Sequence, residues 1–329
     1  MSTATSAHSP DGQAVSARPR WAAKAERGSG AALALLIRIV RSLGPRWSRA
    51  LVHPVGAYFL LTDREARAAS FDYLRRVLPG GAAGWRDGYR HLVEFSTSIF
   101  DRMCVWAGQD DDITLLHDGA GHFAHLPDAE GARANRLGKS GALIVGAHLG
   151  TFDMMRSICL EAEVPVRVVM YGDNAETINR FFAGLNPGFQ LDLIHIKPGA
   201  HNATLEIRQA VERGDFVVIM GDRVPLAGEG AETVRFLGGE ARFPKGPFTL
   251  AALIGCPLMM ALAVRVGTAT YRVESRPLYA GGRVPRAGRD AVVRDMTLAY
   301  ASTLEDACRR HPYQWFNFFD FWETKREGS

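Results

Sequence analysis

The sequence predicts an α/β fold, a mostly parallel central sheet flanked by helices, with an N-terminal helical, membrane-facing segment in front of it. Three observations predict this. Short apolar runs rich in Val and Ile recur at 142–147 (ALIVGA), 164–171, 191–196 and 215–221. Helical stretches at 153–162, 175–185 and 202–213 separate them, and strands buried on both faces and joined by helical crossovers build a parallel sheet. Apolar residues make up 47% of the 329 and charged ones 22%, which suffices for a sizeable core.

The chain divides into three parts. Residues 1–28 form a basic arm, rich in Ser, Ala and Pro at its start and expected to be disordered. Residues 29–106 are helical and membrane-associating. The apolar run AALALLIRIVRSLG begins at residue 31, broken by Arg38 and Arg41, and LVHPVGAYFLL follows at 51–61. Neither run reaches the roughly 18 uninterrupted apolar residues of a spanning helix. Both could lie in the bilayer interface with arginines at headgroup level, where anionic lipid attracts each charge by about 1 kcal/mol. The alternative is a helix pair packed on the core with its arginines solvated. Amphipathic helices follow at 63–78 and 86–106, bounded by Pro79-Gly80-Gly81 and by Gly108. Residues 107–329 carry the α/β domain, completed by a helix at 246–255, strands at 257–266 and 270–276, and a long helix at 290–310.

Charge and motifs narrow the function. The net charge of +4 resides in the N-terminal arm: residues 1–49 hold eight basic groups (Arg18, Arg20, Lys24, Arg27, Arg38, Arg41, Arg46, Arg49) against Asp11 and Glu26. A nucleic-acid partner would need a cationic face on the folded body, so none is expected. Cys104, Cys159, Cys256 and Cys308 are widely spaced, which excludes a disulfide framework and a zinc ribbon and suits a reducing compartment. Residues 1–20 lack the apolar core of a signal peptide. Gly138-Lys139-Ser140 ends like a phosphate loop but precedes a strand, and its upstream glycine, Gly131, is at the wrong spacing. There is no G-x-S-x-G nucleophile elbow. His117, His122 and His125 have no partner set at metal spacing, so no metal is expected.

The informative segment is GAHLGTFD at 146–153, at the C-terminal end of the strand ALIVGA, where open α/β sheets bind ligands. His148 and Asp153 are five apart, about 140° on a regular helix, and can meet only if the chain turns between them. Gly150 permits such a turn, and a helix starting near Thr151 would favour Asp153 in its first turn. A carboxylate orienting an imidazole towards a cleft is the base half of a triad without a protein nucleophile. It suits a substrate hydroxyl that must lose a proton and attack. A histidine that merely caps the strand end is the other reading of the same spacing.

H-x4-D after an apolar strand resembles the lysophospholipid acyltransferase superfamily, and Gly-Ala-His-Leu-Gly is most similar to its lauroyl/myristoyl branch, the acyltransferases of lipid A biosynthesis. Met220-Gly221-Asp222-Arg223 matches the branch's second segment. Residues 234–239 (VRFLGG) with 243–247 (FPKGP) match its third, and WFNFFDFW at 315–322 matches its aromatic C-terminus. The resemblance, spanning residues 30–322, implies an α/β acyltransferase domain at the cytoplasmic face of a cell inner membrane, with no cofactor. It implies transfer of an acyl chain from an acyl carrier protein or CoA thioester to a hydroxyl of a lipid or pathway-intermediate acceptor. His148 would be the general base and Asp153 its orienting partner. Arg223, Lys245 and Arg242, with Gly150 and Asp222, would contact substrate. Ala147 and Lys245 stand where the glycerolipid branch carries Asn and Glu, which argues against a glycerol-3-phosphate acceptor. Tyr171-Gly172-Asp173 lacks the arginine frequent in the lipid A enzymes after that strand, so an acceptor from another lipid or polyketide-like pathway fits as well. A catalytically silent lipid-binding scaffold and an acyl thioesterase are the alternative functions.

Overall fold

Alternation within the central strands splits the core into two layers. The computed structural model describes residues 38, 42, 44–109, 111–116, 123, 126, 139–151, 154, 163–171, 192–196, 202–224 and 230–322. The seven-stranded sheet is built from β1 (Thr114–Leu116), β2 (Ala142–Gly146), β3 (Val166–Tyr171), β4 (Asp192–Ile196), β5 (Phe216–Met220), β8 (Leu258–Arg265) and β9 (Thr270–Tyr279), in the order β1-β9-β8-β2-β5-β3-β4. Strands β8, β2, β5, β3 and β4 run parallel, while β9 pairs antiparallel with β8 and carries β1 parallel to itself at the edge. Leu143, Val145, Val217, Ile219, Leu262 and Val264 enter one layer, and their neighbours Ala142, Ile144, Phe216, Val218, Ala261 and Ala263 enter the other. The period of two and burial on both faces explain why these strands read as unbroken apolar runs.

Six helices longer than one turn are described: α1 (Val52–Thr62), α2 (Arg64–Val77), α3 (Trp85–Trp106), α4 (Asn202–Glu212), α5 (Gly246–Ile254) and α6 (Arg289–Arg310). Asp63 caps α2, its side chain accepting from the Ala66 N–H at 3.0 Å. Tyr73, Leu74 and Val77 of α2 share one core layer with Phe248 and Ala251 of α5 and with Met296, Tyr300 and Leu304 of α6. Helix α3 packs over the end of β2 through Ser98, whose hydroxyl lies 2.7 Å from that of Thr151. Lower down, Tyr271 donates to the buried Asp101 at 2.6 Å. The helical N-terminal half is therefore continuous with the sheet's core.

Between β5 and α5 the chain makes the antiparallel hairpin β6 (Ala231–Phe236) and β7 (Gly239–Pro244), absent from the sequence expectation. Its two-residue turn puts Leu237 at φ 47° and Gly238 at φ 78°. A turn of that hand favours Asn-Gly, and leucine there gives no local signal. Leu237 is held instead by burial and by its N–H on Glu305 Oε2 at 2.8 Å.

The strands expected at 142–147, 164–171, 191–196, 215–221, 257–266 and 270–276 occur, as do the helices at 63–78, 86–106, 202–213, 246–255 and 290–310. The helix expected at 153–162 apart from Met154, which is helical, the helix expected at 175–185, the arm at 1–28, most of the run from residue 31, and His117, His122 and His125 lie outside the described residues. Among the described residues no helix is long and apolar enough to cross a membrane.

Candidate active site

Register places the site. Strands β2 and β5 are parallel neighbours with Gly146 opposite Met220, and the Gly221 N–H continues the pairing onto the Gly146 carbonyl at 3.0 Å. Two residues beyond that matched pair, each chain end presents a polar side chain at the same height: His148 after β2 and Asp222 after β5. The strands that follow them in sequence lie on opposite sides, β3 beyond β5 and β8 beyond β2. This is the switch point at which open α/β sheets form a ligand crevice.

Asp222 is fully buried, and its two oxygens do different things. Oδ1 accepts from the His148 ring at Nδ1, 2.7 Å away. Oδ2 accepts from the His148 backbone N–H at 2.8 Å, from Trp315 Nε1 at 3.0 Å and from Asn317 Nδ2 at 3.1 Å. Burial raises the carboxyl's pKa, but the His148 ring, its hydrogen bonds and Arg223 outweigh that and bring it to about 2. With an anion on Nδ1, that nitrogen carries the proton and Nε2 keeps its lone pair. The His148 side chain is 29% exposed. Among the described residues Nε2 makes no hydrogen bond. Burial lowers the imidazole's pKa, opposed by Asp222 and reinforced by Arg223, so the ring is neutral near pH 7 and its open nitrogen can take a proton.

The turn after His148 is fixed from two sides. Gly150 sits at φ 72°, and a Cβ there would lie 2.1 Å from the Ala263 carbonyl oxygen of β8. The Gly150 N–H donates to the Gln314 carbonyl at 2.8 Å, and the Phe316 N–H donates to the His148 carbonyl at 2.7 Å. The C-terminal segment thus lies as a short strand-like cover along 148–150. Gln314 adds to it by pairing through its side-chain amide with both backbone groups of Arg265, at 2.8 and 2.7 Å.

With this geometry in place, the sequence profile of the bacterial lipid A biosynthesis acyltransferase family matches residues 29–324. The chain belongs to this family. It is an acyltransferase of lipid biosynthesis, acting on a lipid acceptor. Among solved structures, the acyltransferase is similar to the 1-acyl-sn-glycerophosphate (LPA) acyltransferase PlsC from Thermotoga maritima, at 12% identity, covering 79% of this chain and 97% of that one with a TM-score of 0.34. No curated protein matches it.

Of the residues singled out in the sequence, the acyltransferase brings His148, Gly150, Asp222 and Arg223 together. Asp153 lies outside the described residues. The side chain on His148 Nδ1 is Asp222, which the sequence alone assigned to substrate contact. Arg223 donates through Nε to Asn317 Oδ1 at 2.8 Å and through Nη2 to the Phe316 carbonyl at 3.3 Å, with its guanidinium 5.6 Å from the Phe319 ring centroid. Lys245 closes the β6–β7 hairpin and is paired with Glu232 at 3.1 Å. Arg242 stands on β7 opposite Thr233. Trp315 and Asn317 were missed as partners of a carboxylate. The only available signal was an amide residue, Asn317, set among seven aromatic or acidic neighbours in WFNFFDFW.

Proposed function

We propose that His148 is the general base of this acyltransferase, oriented by Asp222, and that the acyl donor is a thioester of acyl carrier protein or CoA. Nε2 takes the proton from the acceptor hydroxyl as its oxygen attacks the thioester carbonyl. The tetrahedral intermediate collapses with cleavage of the C–S bond. The imidazolium then returns its proton to the departing thiolate, leaving an ester and a free thiol. No protein nucleophile is needed, because the acceptor's own oxygen attacks. The observation that carries this reading is the 2.7 Å contact between Asp222 Oδ1 and Nδ1, with no hydrogen bond on Nε2 among the described residues.

Arg223 is the cation best placed for an anionic group on either substrate, being three residues beyond β5 and next to the carboxylate that holds the base. Lys245, paired with Glu232, and Arg242 on β7 are the further candidate cations, and for Lys245 binding a substrate anion would compete with Glu232. Asp153 is a second carboxylate within the same motif, and thiol release by Asp153→Asn beside Asp222→Asn tests its role.

The reading also places the enzyme on the cytoplasmic face of the inner membrane. Helix α1 buries Val52, Gly56 and Leu60 on one face, yet exposes Val55, Tyr58 and Leu61 on the opposite one. Trp47 and Trp85 add exposed indoles, 80% and 59% accessible, with the Arg67 guanidinium 5.6 Å from the Trp85 ring. Exposed aromatic and aliphatic side chains beside arginine suit the headgroup boundary of a bilayer.

Lipid mass spectrometry of cells carrying the wild type, His148→Ala or no copy of the chain tests the proposal. The expected result is an acylated lipid present only with the wild type, while His148→Ala folds normally. An acylated product made equally by His148→Ala would remove the general base, and free fatty acid released without an acceptor would identify a thioesterase.

A further inference from the structure

We infer that Asn317, assisted by Trp315, is a positioning residue for proton transfer at His148, which makes the C-terminal segment part of the catalytic apparatus. The inference rests on the general-base reading above and extends it to a part of the chain about 170 residues away in sequence.

The argument starts from how Asp222 is occupied. Among the described residues three donors converge on Oδ2, and the His148 ring is the one donor on Oδ1. A carboxylate pinned by one oxygen cannot rotate about its Cβ–Cγ bond, so its second oxygen is presented to the imidazole in a single direction. Trp315 and Asn317, which are 0% and 3% exposed, supply two of the three pins.

Asn317 does something Trp315 cannot. Its amide gives a hydrogen to the Asp222 anion through Nδ2 and accepts one from the Arg223 cation through Oδ1, at 3.1 and 2.8 Å. Turning the amide over would set its oxygen against the carboxylate and its NH2 against the guanidinium, so the neighbouring charges fix its orientation. The amide is thus inserted between anion and cation. Without it, Arg223 can close directly on Asp222, competing with the imidazole for the carboxylate and altering both the direction and the basicity of His148. Asparagine is suited to this place because it is neutral and both donates and accepts. Aspartate would oppose carboxylate to carboxylate, and alanine would leave both partners unbridged.

Two variants of the full chain test this, with wild type and His148→Gln in parallel. The His148 imidazole is titrated by nitrogen-15 NMR, its signal being the one lost in His148→Gln, and folding is monitored by denaturation. Asn317→Asp should raise the His148 midpoint by about one pH unit, a tenfold gain in proton affinity, because the added negative charge favours imidazolium. Asn317→Ala should lower kcat about 10- to 100-fold, as expected for a displaced catalytic group, with KM for the thioester little changed. Turnover is read as thiol release from whichever saturated acyl thioester, of acyl carrier protein or of CoA, the wild type consumes.

Wild-type kcat in a folded Asn317→Ala overturns the inference, even if Asn317→Asp moves the midpoint, since a new charge acts on any neighbour. A wild-type midpoint in a folded Asn317→Asp overturns it as well. If Asn317→Asp fails to fold, the split between kcat and KM in Asn317→Ala decides. Full turnover by His148→Gln would instead sink the general-base reading itself, whereas a dead His148→Gln beside a wild-type Asn317→Ala sinks only the role of Asn317.

Discussion

The imidazole of His148 and the carboxylate of Asp222 face each other across two strand ends, and their protonation states give the most direct predictions. Asp222→Asn keeps the shape of the side chain but removes the anion that holds the proton on Nδ1. The expected loss is on the order of 10²- to 10⁴-fold in kcat with the fold retained, measured by thiol release. Rate should rise with pH through a limb whose midpoint lies below the ordinary histidine range, because burial holds the His148 pKa down. A second histidine reports on stability instead. His91 is fully buried between Ser70, whose hydroxyl is 2.9 Å from Nδ1, and the Trp315 carbonyl, 2.9 Å from Nε2. Burial lowers its pKa to about 4. The unfolded chain therefore binds this proton more readily, so the stabilisation is complete above about pH 6.5 and is lost as pH falls towards 4, by roughly 3 kcal/mol. Urea denaturation across that range should show the loss in the wild type and a flatter profile in His91→Gln.

Among the elements, the C-terminal segment after α6 contributes more than its length suggests. Trp315 is fully buried and packs edge-on against Tyr73, Phe236 and Phe321, at centroid distances of 5.0, 5.4 and 4.7 Å. Its Nε1–H also serves Asp222. Trp315→Phe should cost about 1–3 kcal/mol, chiefly for the carboxylate left short of a donor, and Trp315→Ala about 3–5 kcal/mol or more for the cavity. Thermal or chemical denaturation of the two variants separates these contributions. The hairpin β6–β7 shows where local reading fails. Its strands follow one another without a turn signature, and the positive φ of Leu237 is maintained by contacts with α6 that no local pattern records.

On the scale of the whole molecule, the outer side of α1 and the indoles of Trp47 and Trp85 leave apolar surface exposed on a protein whose central strands are covered on both sides. The enzyme should cosediment with vesicles containing anionic lipid, and Tyr58→Asp combined with Leu61→Asp should weaken that binding at least tenfold without changing the denaturation midpoint. Each charge placed at the interface opposes both burial and the lipid's own negative potential. The layers of this molecule were legible in its amino acids because strands buried on both faces must be apolar throughout, and because α2, α3 and α6 carry their periodicity and end signals locally. The motif around His148 was legible for the same reason: it follows a strand too apolar to be anything but central. That Asp222 stands on the Nδ1 of that histidine was not legible. Proximity along the chain pointed to Asp153. Asp222 meets the ring because β2 and β5 pair in register, and Trp315 and Asn317 meet Asp222 because the terminal segment folds back over 148–150. Those contacts join residues 74 to 95 positions apart, and only tertiary packing can choose among carboxylates at such separations.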